Sequence, residues 1–272
     1  MLGSLYSGIT GMDAAAAEMN VIGNNIANVN TTAFKAGTIS FGSVYAESVS
    51  MLGSSPGNED GKGVQVIGLG SVWQQGAIES TMNPTDVSIT GDGFFKVVEN
   101  GVSDYYTRAG QFNYDENYNM VDPEGRVVQG FNCDPATGIA DTTSNVDITI
   151  PPGYTEVNLE TGGLITAENA AGTREYLFQI AVYDFPNVDG LKKMTGNLYQ
   201  QSYDSGAPLY ANGNVSGVNG AGKISNNNLE MSNVDLARQF VDLIISQRSF
   251  QANSRVISSS ADMLQEVINI IR

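Results

Sequence analysis

The C-terminal stretch 236–271, LARQFVDLIISQRSFQANSRVISSSADMLQEVINII, decides the fold more than any other part of the chain. Positions that step alternately by four and three from Leu236 are apolar at nine of eleven places, a pattern typical of a heptad seam on one helix face. Residues 232–235, SNVD, precede the seam as a capping box that ends in an acid. The sequence therefore predicts a helix over 232–272, about 55–60 Å long from residue 233 to residue 271.

A second apolar pattern at the other end of the chain is the expected partner of this seam. Gly8, Gly11 and Gly23 interrupt it and weaken an isolated helix by roughly 1 kcal/mol each. The N-terminal helix, 1–30, is therefore expected only when it packs in a coiled coil against the C-terminal helix and against other copies. The alternative is one long helix packed on its own globular domain. The expected seam residues are Leu5, Ile9, Met12, Ile22, Ile26, Leu236, Phe240, Leu243, Phe250, Ile257, Leu264 and Ile268.

Composition excludes several classes of function. The 272 residues include 29 Asp and Glu, 13 Lys and Arg, one cysteine and no histidine, for a net charge of −16. An acidic chain lacks the basic footprint of a nucleic-acid-binding protein. Without histidine there is no imidazole base or imidazole metal ligand, which removes most classes of enzyme. We expect no enzyme and no cofactor.

The charge is concentrated in the middle of the chain. Residues 1–35 and residues 230–272 each carry a net charge of −1, which leaves −14 between them. No basic residue precedes Lys35 and no long uninterrupted apolar run occurs, so we expect neither a cleaved signal peptide nor membrane insertion. The two ends can therefore approach other copies without strong repulsion.

The middle of the chain predicts an antiparallel, mainly β domain over 64–204, which makes the whole chain α+β. Short alternating runs are separated by turn residues, and Asn100-Gly101 is a hairpin signal. Segments 31–63 and 205–231, rich in Ser, Gly, Asn and Pro, are expected to be extended linkers. The expected strands are Val64–Leu69, Val72–Trp73, Asp86–Ile89, Phe94–Val98, Tyr105–Thr107, Val127–Phe131, Val146–Ile150 and Leu177–Tyr183.

Two loops resemble ligand-binding motifs but depart from them. Gly91-Asp92-Gly93 begins like a dinucleotide fingerprint, yet Lys96 stands where the third glycine belongs. The loop that starts at Asp115 with Asn117 and Asn119 begins like a calcium loop but has Met120 at its sixth position and Arg126 at its twelfth. We expect strand-connecting turns at both places and no metal site.

Other polar groups of the middle segment are also expected to be ordinary loop residues. Adjacent acids such as Glu59-Asp60 and Asp115-Glu116 are more often solvated charges than an acid–base pair. Cys133, in the sequence Asn132-Cys133-Asp134-Pro135, is expected in a turn, with a crosslinking thiol as the alternative.

Both chain ends resemble the bacterial flagellar rod and hook protein family. The N-terminal segments 4–12 (SLYSGITGM) and 21–35 (VIGNNIANVNTTAFK) are similar to one family signature, and 229–236 (LEMSNVDL) and 247–255 (QRSFQANSR) to another. The resemblance continues in 91–95 (GDGFF), 106–112 (YTRAGQF), 196–199 (GNLY) and 205–208 (SGAP). It thus covers essentially the whole chain in order.

Within the family, 34–41 (FKAGTISF) and 250–255 (FQANSR) look similar to hook proteins. The interval between 148–151 and 178–183 is shorter than in hook proteins with extra outer domains, so the length resembles a distal-rod protein or a short hook protein. The asparagines of the N-terminal signature are expected to hydrogen-bond between subunits, to end the helix, or to be solvated: Asn24, Asn25, Asn28 and Asn30.

The resemblance implies a structural subunit of the flagellar hook, polymerised into a helical tube that transmits torque, with a distal-rod subunit as the alternative. It further implies export by the flagellar type III apparatus without a cleaved signal, and an extracellular place in the hook or basal body. The implied partners are other copies and the distal-rod, hook-cap and hook–filament junction proteins. Two classes remain as alternatives: an acidic binding module with oligomerising tails, and a carboxylate hydrolase if a cluster of perturbed acids exists.

Overall fold

The computed structural model describes residues 2–44, 47–48, 59–99, 101 and 103–271. Within these ranges the chain begins and ends with a long helix, and antiparallel strands lie between the two. The predicted α+β class and the mainly antiparallel β domain are confirmed. Asn100, half of the predicted Asn-Gly hairpin signal, lies outside the described residues, but the strands on either side of it pair antiparallel.

The chain forms two compact units. The helical unit comprises Met1–Val29, Lys35–Val72 and Val234–Arg272, and the β unit comprises Asn30–Phe34 and Trp73–Asn233. The two ends of the chain therefore belong to one unit, with most of the β unit inserted between them.

The two helices of the helical unit are α1 (Leu2–Ala27) and α2 (Leu236–Ile271). Asp235 caps the start of α2, because its Oδ1 accepts hydrogen bonds from the backbone N–H groups of Ala237 (2.9 Å) and Arg238 (3.3 Å). The helix thus begins three residues later than residue 233, where the sequence placed it. Among the described residues neither helix has the apolar length that a bilayer-spanning segment needs.

The helical unit also contains an antiparallel ribbon. Strand β1 (Gly37–Ser43) pairs with β4 (Val64–Ser71), and β2 (Glu47–Ser48) pairs with β3 (Glu59–Asp60). In its described part the ribbon differs from the expected linker over 31–63, whose residues 45–46 and 49–58 lie outside the described residues, and from an expected β domain that starts at residue 64. The cause is the β-forming side chains of Thr38, Ile39 and Phe41, which the abundance of Gly and Ser around them obscured.

The β unit holds the remaining strands and two short 3₁₀ turns, Val188–Gly190 and Thr195–Asn197. In chain order its strands are β5 (Ile78–Ser80), β6 (Val87–Thr90), β7 (Phe94–Glu99), β8 (Ser103–Thr107), β9 (Asn113–Tyr114), β10 (Met120–Val121), β11 (Val127–Asn132), β12 (Val146–Asp147), β13 (Thr155–Leu159), β14 (Leu164–Glu168), β15 (Arg174–Ile180), β16 (Val182–Tyr183), β17 (Lys192–Lys193), β18 (Leu198–Gln200), β19 (Lys223–Asn226) and β20 (Asn228–Glu230).

The main sheet has the strand order β13-β14-β15-β11-β7-β8-β18-β17. Strand β7 is buried on both faces: Phe95 and Val97 belong to one apolar cluster and Phe94 to a second. Burial on both sides explains the nearly continuous apolar run of 94–98.

The segment 205–231, expected to be an extended linker, instead contributes β19, which pairs with β6, and β20, which pairs with β5. Ile224 and Leu229 are buried there. The asparagines and glycines of this segment provide the turns around two short strands, so its composition was typical of a linker while its apolar residues were part of a core.

Candidate assembly surface

The two helices pack antiparallel within the helical unit. Ser4 lies opposite Ser260, with 3.3 Å between their Oγ atoms, and Ser246 Oγ donates a 2.9 Å hydrogen bond to the Ala15 carbonyl. At the other end of the pair, Asn25 Nδ2 donates to Gln239 Oε1 at 3.0 Å. Residue numbers rise along one helix as they fall along the other, so the pairing is antiparallel over most of α1.

Gly8 and Gly11 of α1 lie where the two helices approach closely. A methyl group on Gly8 would come 2.9 Å from Ile257 Cγ1, and one on Gly11 would come 2.5 Å from Asn253 Nδ2. Gly23, in contrast, has no neighbour within 4 Å of such a methyl group. Gly8 and Gly11 therefore permit helix contact, which offsets their low helix propensity.

The residues of α2 that face α1 differ in part from the expected seam. Gln239, Ser246, Asn253 and Ser260, spaced by seven, all contact or approach α1; we call these four residues the polar ladder. Leu243, Ile257 and Leu264 of the expected seam are half-buried. A search for apolar periodicity missed the ladder because its members are polar.

Much of the expected seam is exposed in the single chain. On α2, Leu236, Phe240, Phe250 and Ile268 are 39%, 50%, 38% and 66% exposed. On α1, Ile22 is buried, Leu5, Met12 and Ile26 are half-buried, and Ile9 is exposed. An apolar coiled coil over this whole set stays a prediction, and the exposed members are available to a further partner.

A second apolar face of α2 is also exposed. It repeats every eleven residues: Val241, Ala252 and Met263 form one series, and Ile245, Val256 and Val267 another. At about 100° per residue, Ile245 and Ala252 lie about 100° around the helix from the neighbouring ladder residues Ser246 and Asn253. We call this face, completed by Ile270, the apolar stripe. An eleven-residue period of apolar side chains could have revealed it, whereas a seven-residue template could not.

The asparagines of the N-terminal signature have contacts inside the chain. Asn25 is buried, where its Nδ2 donates to the Gly37 carbonyl at 2.9 Å and its Oδ1 accepts from the Gly37 N–H at 2.7 Å. Asn28 Nδ2 donates to the carbonyl and the Oδ1 of Asn24 and so satisfies the end of α1. Asn24 and Asn30 are exposed. The described contacts of Asn25 and Asn28 thus lie within the chain, and Asn28 has the expected role of ending the helix.

A buried ion pair joins two of the signature segments inside the β unit. Arg108 Nη1 lies 3.3 Å from Glu230 Oε2, and the two side chains are 6% and 0% exposed. Arg108 Nη2 donates to the Gly91 carbonyl at 2.7 Å, and Glu230 Oε1 accepts from the Gly76 N–H at 3.1 Å. The sequence does not predict this pair, because no local pattern connects residues that are 122 positions apart.

The two motif-like loops are turns. Gly91 and Gly93 have φ values of +100° and +130° between β6 and β7, which only glycine adopts freely. Asp115 accepts hydrogen bonds from the N–H groups of Asn117 (2.7 Å) and Asn119 (2.9 Å) in the β9–β10 hairpin. These bonds, chiefly that from Asn119, hold the pKa of the Asp115 carboxyl below its usual range.

The cysteine is enclosed. Burial of Cys133 raises the pKa of its thiol to about 11, so little of the reactive thiolate forms near neutral pH. Within the described part of the chain no group of three or more acidic or thiol side chains is placed to hold a metal ion.

Protein-family comparisons match three segments of the chain. Residues 88–167 match the D1 domain of flagellar hook proteins FlgE/F/G, residues 225–270 match the C-terminal region of flagellar basal-body rod FlgEFG proteins, and residues 5–35 match flagella basal-body rod proteins.

Curated relatives extend the match to the whole chain. The flagellar basal-body rod protein FlgG of Bacillus subtilis is 36% identical over 100% of both chains, and that of Caulobacter vibrioides is 32% identical over 96% of this chain and 97% of its own. The flagellar hook protein FlgE of Treponema pallidum is 25% identical over 100% of both, in an alignment of 467 positions. The hook protein FlgE2 of Helicobacter pylori covers 47% of this chain and 39% of its own, with 17% identity and a TM-score of 0.24.

The full-length matches at more than 30% identity agree with the signatures at both ends and in the β unit. Members of this family are structural proteins of the flagellum, not enzymes. The chain belongs to the flagellar basal-body rod and hook protein family.

Proposed function

We propose that this chain is a distal-rod subunit of the flagellar basal body, which polymerises with other copies into a helical tube. The full-length similarity to FlgG basal-body rod proteins carries the proposal. The hook protein, which the sequence favoured, has weaker support. Its alignment extends over 467 positions, against 279 for the Bacillus subtilis rod protein, so the hook relative has long segments that this chain lacks.

The exposed faces of α2 supply the surface for polymerisation. The apolar stripe and the exposed seam residues, among them Phe240 and Ile268, leave large side chains in water in the single chain. Transfer of each from water into a contact is worth about 1.5–3 kcal/mol. An open helical polymer needs two different faces on every copy, and α2 presents two, on either side of its contact with α1.

The remaining partners follow from this place in the flagellum. The subunit would meet the hook or its assembly proteins at one end of the tube and would leave the cell through the flagellar type III apparatus without a cleaved signal. These assignments are part of the proposal and rest on the family alone.

Charged substitutions on α2 test the surface. Ile245→Asp is placed on the apolar stripe and Phe240→Asp on the exposed seam. Ser258→Asp is the matched control, because Ser258 is an exposed residue of the same helix that is already polar. Negative-stain microscopy of purified protein should show tubes for the parent and for the control, and unassembled subunits for the two other variants. Tubes of normal length from both Ile245→Asp and Phe240→Asp would exclude α2 as the polymerisation surface.

The position of the tube in the flagellum, as rod or as hook, is tested by a separate experiment. Basal bodies isolated from cells that carry a tagged copy should bear the tag on the straight rod segment. A tag on the curved segment outside the cell body would instead establish the hook assignment.

A further inference from the structure

The face of α2 that contacts α1 is not its most apolar face. The polar ladder contributes Gln239, Ser246, Asn253 and Ser260 to this contact, while the seven residues of the apolar stripe are exposed. Apolar burial alone would rotate α2 by about 100° near Ser246 and Asn253 and place Ile245 and Ala252 against α1. Some other interaction must therefore determine how α2 is rotated about its axis.

Ion pairs do not provide it: α1 carries two charged residues, the acids Asp13 and Glu18, and in the described part of the chain neither is paired with an arginine of α2. Many helix pairs fix their orientation by opposite charges on the two flanks of the contact. In this pair, α1 has no basic group with which to form such a bridge to an acid of α2.

Neutral hydrogen bonds do connect the helices along most of α1. Ser246 is fully buried and donates to the Ala15 carbonyl at 2.9 Å, and Ser260, 3% exposed, lies 3.3 Å from Ser4 Oγ. Gln239 accepts from Asn25, whose other hydrogen bonds hold it to Gly37. A rotation of α2 would break all of these contacts, including those of the buried Asn25 and Ser246 side chains, which is costly.

The shape of α1 fits the ladder. Ser4, Gly8, Gly11 and Ala15 form a small-residue stripe with steps of four and three, and the first three of them lie against Ser260, Ile257 and Asn253. Small side chains bring the backbones close enough for a serine hydroxyl on one helix to reach a carbonyl on the other.

We propose that the polar ladder fixes the rotation of α2 against α1 and thereby reserves the apolar stripe for other copies of this chain. The four ladder residues are thus specificity-determining residues of the assembly. The orientation of α2 follows from the intrachain contacts, and only the consequence for assembly rests on the proposed function.

Disulfide trapping measures the rotation in the full-length chain with Cys133→Ser. One reporter pairs Ser4→Cys with Ser260→Cys, and a second pairs Ser4→Cys with Ser259→Cys, which lies one residue away and about 100° around α2. The ratio of the two crosslinking rates under mild oxidation reports the face that α2 presents. In the parent, the Ser260 reporter should crosslink at least about 10-fold faster than the Ser259 reporter.

Replacement of the polar ladder by apolar residues should lower the ratio of the two crosslinking rates. The variant Gln239→Leu, Ser246→Ala, Asn253→Leu should reduce it to below about 3. The matched control Gln247→Leu, Ser258→Ala, Gln251→Leu makes the same types of change at exposed positions of α2 and should leave the ratio unchanged. The single Ser246→Ala variant, which removes one hydrogen bond with little change of shape, should lower the ratio about 3-fold and serves if the triple variant does not fold.

Two results would overturn the proposal: equal rates for the two reporters in the parent, or an unchanged ratio in both the triple variant and Ser246→Ala. The test is distinct from that of the proposed function. Ile245→Asp should prevent the formation of tubes but leave the ratio of crosslinking rates at its parent value. The triple ladder variant should change this ratio whether or not tubes form.

Discussion

Neutralisation of Glu230 should destabilise the β unit strongly. Glu230→Gln keeps the shape of the side chain but removes the charge that pairs with Arg108 Nη1 at 3.3 Å, where both side chains are almost fully buried. Loss of one partner from a buried pair costs about 3–5 kcal/mol, because the remaining charge stays without compensation. This is a large part of the roughly 5–15 kcal/mol that stabilises a typical domain.

Trp73 is the natural probe for this measurement. It is the only tryptophan of the chain and lies in the β unit, 5.6 Å from the Phe94 ring and 4.9 Å from the Tyr199 ring. With a urea dependence of about 2 kcal/mol per molar, the unfolding midpoint followed by Trp73 fluorescence should fall by about 1.5–2.5 M.

A second variant separates the ion pair from simple loss of packing. Arg108→Met with Glu230→Leu replaces both charges of this pair by apolar side chains and should recover part of the lost stability, since neither of the two charges is left behind. If the double variant is as unstable as Glu230→Gln, or if Glu230→Gln unfolds at the parent midpoint, the reasoning about uncompensated burial is refuted.

The remaining predictions concern α1, the cysteine and one hairpin. Gly23→Ala should raise the stability of the helical unit by about 1 kcal/mol, whereas Gly8→Ala, whose methyl group meets Ile257, should gain nothing or lose stability; thermal unfolding followed by circular dichroism compares them, and equal gains would contradict the contact. Cys133, with its pKa raised by burial to about 11, should resist iodoacetamide near neutral pH until urea unfolds the chain, and rapid labelling of the folded protein would show that the thiol is accessible. Because hydrogen bonds lower the pKa of Asp115, its contribution to stability is present above the pKa of the unfolded chain and is lost as the pH falls through the folded value; Asp115→Asn should weaken this acid dependence, as followed by urea unfolding at a series of pH values.

Local sequence patterns predicted the helices and strands more accurately than they predicted which faces of these elements pack together. The seven-residue repeat was sufficient for α2, and short runs of β-forming residues between turn residues were sufficient for the strands around Phe94, Tyr106 and Val128. The partner of each face depends on side chains far apart in the sequence, such as Ser246 opposite Ala15. A periodicity that counts apolar residues gives no weight to a serine, so it assigned α2 a contact face that the structure leaves partly exposed.

Composition was misleading where a segment combined turn residues with a few apolar ones. Residues 205–231 have the glycines and asparagines of a linker, yet Ile224 and Leu229 are buried in strands. Two apolar residues in a short strand make a weak signal in sequence, and the gain from their burial depends on β5 and β6, more than a hundred residues earlier. The buried Arg108–Glu230 pair escaped prediction for the same reason.

The pairing of α1 with α2 also sets an order of folding. Ser4 and Ser260 are 256 positions apart, so the N-terminal helix must wait for almost the entire chain before its partner exists. The β unit, in contrast, takes nearly all of its residues from one continuous segment, Trp73–Asn233, and needs no residue of α2. Because synthesis starts at the N-terminus, the β unit can therefore fold while α1 still has no partner. The helical unit can form only after the C-terminal residues of α2 have been made.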